Sequence, residues 1–110
     1  MSNSRAAAFD VITDFTTGAD KFQIGHALNG LTIGITKTTG ITGNLATDLA
    51  SVLNNTNFKA NGAAEVTINS GADAGTYVVI NNGSAGYNSN TDAVVKLIGS
   101  PVLHTTDFIV

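Results

Sequence analysis

Three aspartates, Asp10, Asp14 and Asp20, lie close together near the start of the chain. Hard cations such as calcium take about six to eight oxygen ligands from carboxylates, amides, carbonyls and water. If Asp10 and Asp14 share one side of a strand and Asp20 approaches across a turn, the three could contribute to a calcium site. The plainer alternative is that Asp10 and Asp20 bound turns and Asp14 caps a loop. A second oxygen-rich group is Asn81, Asn82, Asn88, Asn90 and Asp92. Amides in place of carboxylates keep the oxygen atoms but drop the charge, so this group reads as two turns tolerant of left-handed backbone.

Nucleophilic catalysis needs a hydroxyl beside a base that is oriented by an acid. His104-Thr105-Thr106-Asp107 holds those types. Contiguous strand residues point to alternate faces, however, and cannot make that geometry alone. No H-E-x-x-H is present, and His26 and His104 are far apart in the sequence. A non-catalytic protein is expected. Tyr77 and Tyr87 could stack on a sugar ring, but without any tryptophan they are expected to pack in the core or in turns. The segment Asp107-Phe108-Ile109-Val110 is different in kind. An acid followed by three apolar residues is expected either to dock as a strand or to be recognised by a partner.

The elements that must position these groups are mostly strands. Asp10 to Ile24 reads as a β-hairpin: Val11-Ile12-Thr13 and Lys21-Phe22-Gln23-Ile24 flank Thr17-Gly18-Ala19-Asp20, which is turn chemistry. Leu31, Ile33 and Ile35 alternate with Thr32, Gly34 and Thr36, the pattern of a half-buried strand. Leu45, Leu49, Val52 and Leu53 recur with helical spacing and predict a helix over 45–54. Asn44 is its expected N-cap, with Asp48 near the positive end of the helix dipole. Glu65 to Asn69 is a further strand with Val66 and Ile68 on one face. Thr76 to Ile80 is apolar on both faces and predicts a central strand, and Ala93 to Ile98 is similar except for Lys96. A last strand over 106–110 is expected to close the same sheet beside 94–98.

The chain has 110 residues, 43% of them hydrophobic, enough for one modest core. Charged residues make up only 12%, and the net charge is −3. The five basic residues, Arg5, Lys21, Lys37, Lys59 and Lys96, form no cluster, which argues against a nucleic-acid partner. Cysteine is absent, so the fold is indifferent to redox compartment. No apolar run approaches the roughly 18 residues of a membrane helix, and stable membrane insertion is not expected. Residues 1–8 lack the apolar core of a secretory signal peptide and read as a flexible segment ahead of a single domain over 9–110.

Several stretches together resemble the C-terminal region of bacterial RTX-type exported proteins. Phe9-Asp10-Val11-Ile12-Thr13-Asp14-Phe15 and Gly18-Ala19-Asp20-Lys21-Phe22-Gln23-Ile24 are similar to that family's D-x-I-x-D-F-x-x-G-x-D-K-I-x-L. Gly75-Thr76-Tyr77-Val78-Val79-Ile80-Asn81-Asn82-Gly83 resembles its G-x-T-Y-L-V-x-D-N-G, and Thr91 to Gly99 its T-D-L-V-V-K-L-T-G. Asp107-Phe108-Ile109-Val110 resembles the family's closing strand. These segments run in the family's order over nearly the whole chain, and look like the C-terminal domains of serralysin-like proteases, some S-layer proteins and cyanobacterial proteins. The nonapeptides G-G-x-G-x-D-x-φ-x (φ apolar) of a calcium β-roll are missing, so the chain looks like the cap after a roll, or like a free-standing relative.

The order of elements predicts an α+β domain: a mainly antiparallel, sandwich-like sheet with the helix near 45–54 packed on it. The resemblance implies a C-terminal module that carries a type I secretion signal in Asp107, Phe108, Ile109 and Val110, with a type I transporter as partner. The module would cap an upstream β-roll or passenger and end up outside a bacterial cell, with calcium as a possible ligand at Asp10, Asp14 and Asp20. An alternative role is a surface-structural or adhesive module, S-layer-like, that self-assembles.

Overall fold

The computed structural model describes residues 5, 6, 9–99 and 101–110. Among them the chain forms strands β1 (Asp10–Ile12), β2 (Phe22–Gln23), β3 (Leu31–Lys37), β4 (Ala63–Ile68), β5 (Gly75–Ile80), β6 (Ala93–Leu97) and β7 (Phe108–Ile109). One helix, α1 (Leu45–Val52), lies between β3 and β4, and a 3-10 turn over Thr105–Asp107 leads into β7. The fold is α+β: a five-stranded sheet, β1-β6-β5-β4-β3, and a separate two-stranded ribbon, β2-β7. The central pairings, β6–β5 and β5–β4, are antiparallel, and the edges β1 and β3 join parallel. Of the expected flexible segment 1–8, only Arg5 and Ala6 are among the described residues. Ala6 is buried, and the Arg5 guanidinium donates to the Asn90 carbonyl at 3.4 Å.

The sheet is apolar on both faces because alternate residues serve different cores. Tyr77 and Val79 of β5 face α1, as do Val66 of β4 and Val94 of β6. Val78 and Ile80, with Val95 and Leu97, face the other way. The central position expected for 76–80 is therefore the observed one. Leu45, Leu49 and Leu53 of the helical stripe cover the first face together with Phe58. The second face is covered by Phe15, Phe22, Ile24, Leu103 and Phe108, the ribbon and its flanking loops. The result is three layers: helix, sheet, ribbon.

The helix begins where expected, with the Asn44 side chain accepting from the Thr47 amide at 3.1 Å. It also explains a parallel edge. A parallel pair needs a long crossover, and the connection from β3 to β4 supplies one by running through α1.

Three expectations fail. The hairpin over 10–24 does not form. Its turn does, with the amides of Ala19 and Asp20 donating to Thr16 O at 3.1 and 2.8 Å, but β1 pairs with β6 and β2 with β7. Phe15 and Phe22 still stack across the turn, but the backbones on its two sides pair with distant strands instead of with each other. Second, β7 does not join the main sheet beside β6. Third, β3 does not keep its alternation. Its register slips between Thr32 and Ile35, where Gly34 sits at φ +78°. The bulge sends Leu31 to the ribbon face and Ile35 to the helix face, leaving Ile33 exposed.

Candidate functional site

The segment 104–110 is locked to the turn 16–20 by one carboxylate. Asp107 is completely buried. Its Oδ2 accepts from Thr17 Oγ1 at 2.6 Å and from the His104 amide at 2.8 Å, and its Oδ1 accepts from the Gly18 amide at 2.9 Å. The turn makes this possible. Gly18 sits at φ +84°, a left-handed conformation that costs glycine little. Lys21 Nζ adds a bond to the Thr106 carbonyl at 2.9 Å. Burial pushes the Asp107 carboxyl up, but the bonds from Thr17, Gly18 and His104 and the charge of Lys21 outweigh it and hold it below its ordinary value.

From this anchor the chain enters β7. Phe22 pairs with Phe108 and Gln23 with Ile109, and the Ile24 amide donates to the Ile109 carbonyl at 2.8 Å. Phe15, Phe22 and Phe108 form a stack, with centroids 4.6 and 5.4 Å apart and rings inclined by 14° and 26°. Phe108 is 7% exposed, Ile109 46% and Val110 70%. Of the three apolar residues in the tetrapeptide, only Phe108 becomes core. In a two-residue ribbon, alternation puts one side chain in and the next out.

The residues of the His104–Asp107 segment do meet a hydroxyl, though it is Thr17, from the opposite segment. His104 Nδ1 lies 3.2 Å from Thr17 Oγ1 and 3.9 Å from Asp107 Oδ2. The hydroxyl thus stands between acid and imidazole. In a nucleophilic relay the imidazole stands between the other two. This geometry secures a turn and does not orient a base. His26 is elsewhere, with Nε2 3.0 Å from Asn82 Oδ1.

Asp10, Asp14 and Asp20 are all exposed. Asp10 is on β1, Asp14 is in the loop after it, and Asp20 accepts from the Thr16 amide at 2.8 Å. Among the described residues no three His, Cys, Asp or Glu side chains gather into a group able to hold a metal. The fold therefore does not collect these three into a calcium cage.

The Asn-rich group does converge, as turn chemistry. Asn81 is fully buried and its side-chain amide donates to the carbonyls of Ser84, Gly86 and Phe58 at 2.8, 3.2 and 3.4 Å. Asp92 accepts from the amides of Asn82 and Asn88 at 3.0 and 2.8 Å. Burial still pushes the Asp92 carboxyl above its ordinary value. Tyr77 is buried with its hydroxyl donating to the Asp73 carbonyl at 2.8 Å. Tyr87 packs against the helix-side core, where burial, with the charge of Asp92, pushes its hydroxyl up to about 12.

Sequence reasoning missed two relationships. Thr17 and Gly18 read only as a turn, although they hold Asp107. Asp48, expected near the positive end of the helix dipole and found in the first turn, is also fully buried. It accepts from the Thr42 amide at 3.0 Å and from Thr42 Oγ1 at 2.9 Å, and touches Asp73. A signal was available in Thr42 and Asn44, two polar residues placed to cap the turn that leads into Asp48. No helix among the described residues is long and apolar enough to cross a membrane. No protein-family model, curated protein or solved structure matches the chain.

Proposed function

We propose that this domain is a non-catalytic C-terminal module of an RTX-like exported bacterial protein. Its Asp107–Val110 segment serves as a type I secretion signal while the chain is unfolded and as a clasp once it has folded outside the cell. The supporting observation is how the segment is held. One carboxylate, one stacked ring and a two-residue strand pairing fix it, while Ile109 and Val110 remain on the surface. Such a segment is an exposed apolar peptide before folding and needs few contacts to be retired afterwards. The resemblance of 9–24, 75–83 and 91–99 to that family supplies the transporter and the role beside an upstream β-roll or passenger. The sheet edge at β1, with Val11 exposed, is a surface on which such a neighbour could pack.

The test is binding to a purified type I transporter. The urea-unfolded full chain, diluted into the assay, should bind. A chain lacking Asp107–Val110 should not, and equal binding by both would remove the signal from this segment.

A second reading, self-assembly at a surface, draws support from one groove of about 240 Å³. It is flanked by the exposed side chains of Ile33 and Val102. Both edges of the sheet are poor templates for pairing, since β1 has three residues and β3 is bulged. Sedimentation over a range of concentrations separates the readings: a constant monomer favours the export module, and concentration-dependent association favours assembly.

A further inference from the structure

An asparagine followed by a glycine is where a polypeptide most readily alters its own backbone. The glycine nitrogen can attack the asparagine side-chain carbon, because the glycine has no Cβ to obstruct the approach and its backbone turns freely. The sequence holds three such pairs, Asn29-Gly30, Asn61-Gly62 and Asn82-Gly83. The sequence ranks them alike, and the fold does not.

Two of the three attacking nitrogens are engaged. The Gly62 amide donates to the Lys59 carbonyl at 2.9 Å, and the Gly83 amide donates to Asn81 Oδ1 at 2.9 Å. The Asn82 side chain is also held at both ends: Nδ2 donates to the Thr91 carbonyl at 3.2 Å, and Oδ1 lies 3.0 Å from His26 Nε2. An N–H committed to an acceptor must give up that bond before its nitrogen can attack. The Gly30 amide has no acceptor among the described residues. Asn29 and Gly30 are both exposed, and both line a pocket of about 250 Å³ with Thr56, Asn57 and Lys59, which leaves the asparagine side chain room to turn. One exposed bond restrains it, from Nδ2 to the Ala60 carbonyl at 3.1 Å.

We propose that Asn29 is a site of spontaneous modification, the one Asn-Gly pair of the three that the fold leaves reactive. The Gly30 nitrogen loses its proton to solvent and bonds to Asn29 Cγ. The bond from Cγ to Nδ2 breaks, and the side-chain nitrogen leaves as ammonia. Water then opens the cyclic imide at either carbonyl, giving aspartate or isoaspartate. Either product adds a negative charge to a net −3 and removes the donor to Ala60. Isoaspartate also lengthens the main chain by the asparagine Cβ at the entry to β3. There the Asn29 amide donates to the Asn61 carbonyl at 2.9 Å, and the Gly30 carbonyl accepts from the Ala63 amide at 3.0 Å. These bonds begin the β3–β4 pairing, so the modification loosens an edge strand of the sheet. The site is independent of the export role.

Peptide mapping by mass spectrometry tests this, on the folded full chain incubated for weeks at mildly alkaline pH and on a parallel sample in guanidinium chloride. In the folded chain, conversion at Asn29 should run at least about fivefold faster than at Asn61 or Asn82, the worth of one retained backbone bond, with isoaspartate among the products. In denaturant the three rates should converge. Conversion of Asn61 or Asn82 as fast as that of Asn29 in the folded chain would overturn the proposal. So would an unchanged spread of rates in denaturant, which would trace the difference to neighbouring residues and not to the fold. Aspartate without any isoaspartate would rule out the cyclic route. Both arms use the natural sequence, so the outcome does not depend on whether a variant folds.

Discussion

Phe22 and Phe108 stand opposite each other in the parallel β2–β7 ribbon, and their rings stack with centroids 5.4 Å apart. This pair joins the two ends of the domain. It places the last described strand over the sheet face lined by Val78, Ile80, Val95 and Leu97.

The stack sets an order of effects along the tail. Phe108→Ala removes a buried ring and should cost about 3 kcal/mol of unfolding free energy. Ile109→Ala, in a side chain that is half exposed, should cost under about 1 kcal/mol. Urea unfolding of the two variants checks the contrast, and equal losses would mean that the ribbon is packed differently.

The anchor at Asp107 is sensitive to pH in a definite direction. Its carboxyl is held below its ordinary value of 3.8. A carboxyl depressed in the folded state adds stability that is complete above the unfolded value and is lost as the pH falls through the lower, folded one. The Gly18 amide, which donates to Asp107 Oδ1, should therefore exchange with solvent faster, relative to core amides, as the pH drops through that window. Asp107→Ala, which removes the charged acceptor shared by Thr17, Gly18 and His104, should cost about 2 kcal/mol and abolish this pH dependence.

Asn81 is the polar keystone of the loop between β5 and β6. Its side-chain amide satisfies three carbonyls and its oxygen accepts from the Gly83 amide at 2.9 Å. Asn81→Ala removes a fully buried amide and its bonds to the carbonyls of Phe58, Ser84 and Gly86 and the Gly83 amide, and should cost about 2–3 kcal/mol. Asn90, an exposed residue of the same loop, should tolerate alanine to within about 0.5 kcal/mol. Thermal unfolding of the two variants distinguishes a specific lock from a generic turn preference.

Gly34 tests the bulge in β3. At φ +78° any side chain there is strained, so Gly34→Val should cost about 1–2 kcal/mol although nothing lies within 4 Å of the added Cβ. A neutral result would mean that β3 can run without the slip and turn Ile33 inward.

What could be read from the chain was local. Asn44 and the leucines at 45, 49 and 53 announce the helix through capping and periodicity. Residues 76–80, apolar at every position but the first, announce a strand covered on both faces. What could not be read was pairing between distant segments. The turn at 16–20 has hairpin chemistry, and nothing local reveals that Val95 and Phe108 would outcompete the neighbouring strand for Asp10 and Phe22. Asp73 sits among Gly71, Ala72 and Ala74, where aspartate is ordinary turn chemistry. Its contact with Asp48 exists only once α1 has packed on the sheet. The alternation in β3 misled because one left-handed glycine reverses the facing of everything after it.

The proposed double role of Asp107–Val110, signal when exposed and clasp when folded, is tested most directly by a reconstituted type I export assay of three chains. The unmodified chain should be exported. Phe22→Ala, which frees Phe108 without altering the tail, should be exported at least as well. The chain lacking Asp107–Val110 should remain inside. Export of that truncated chain at the level of the unmodified one would contradict the double role of the segment.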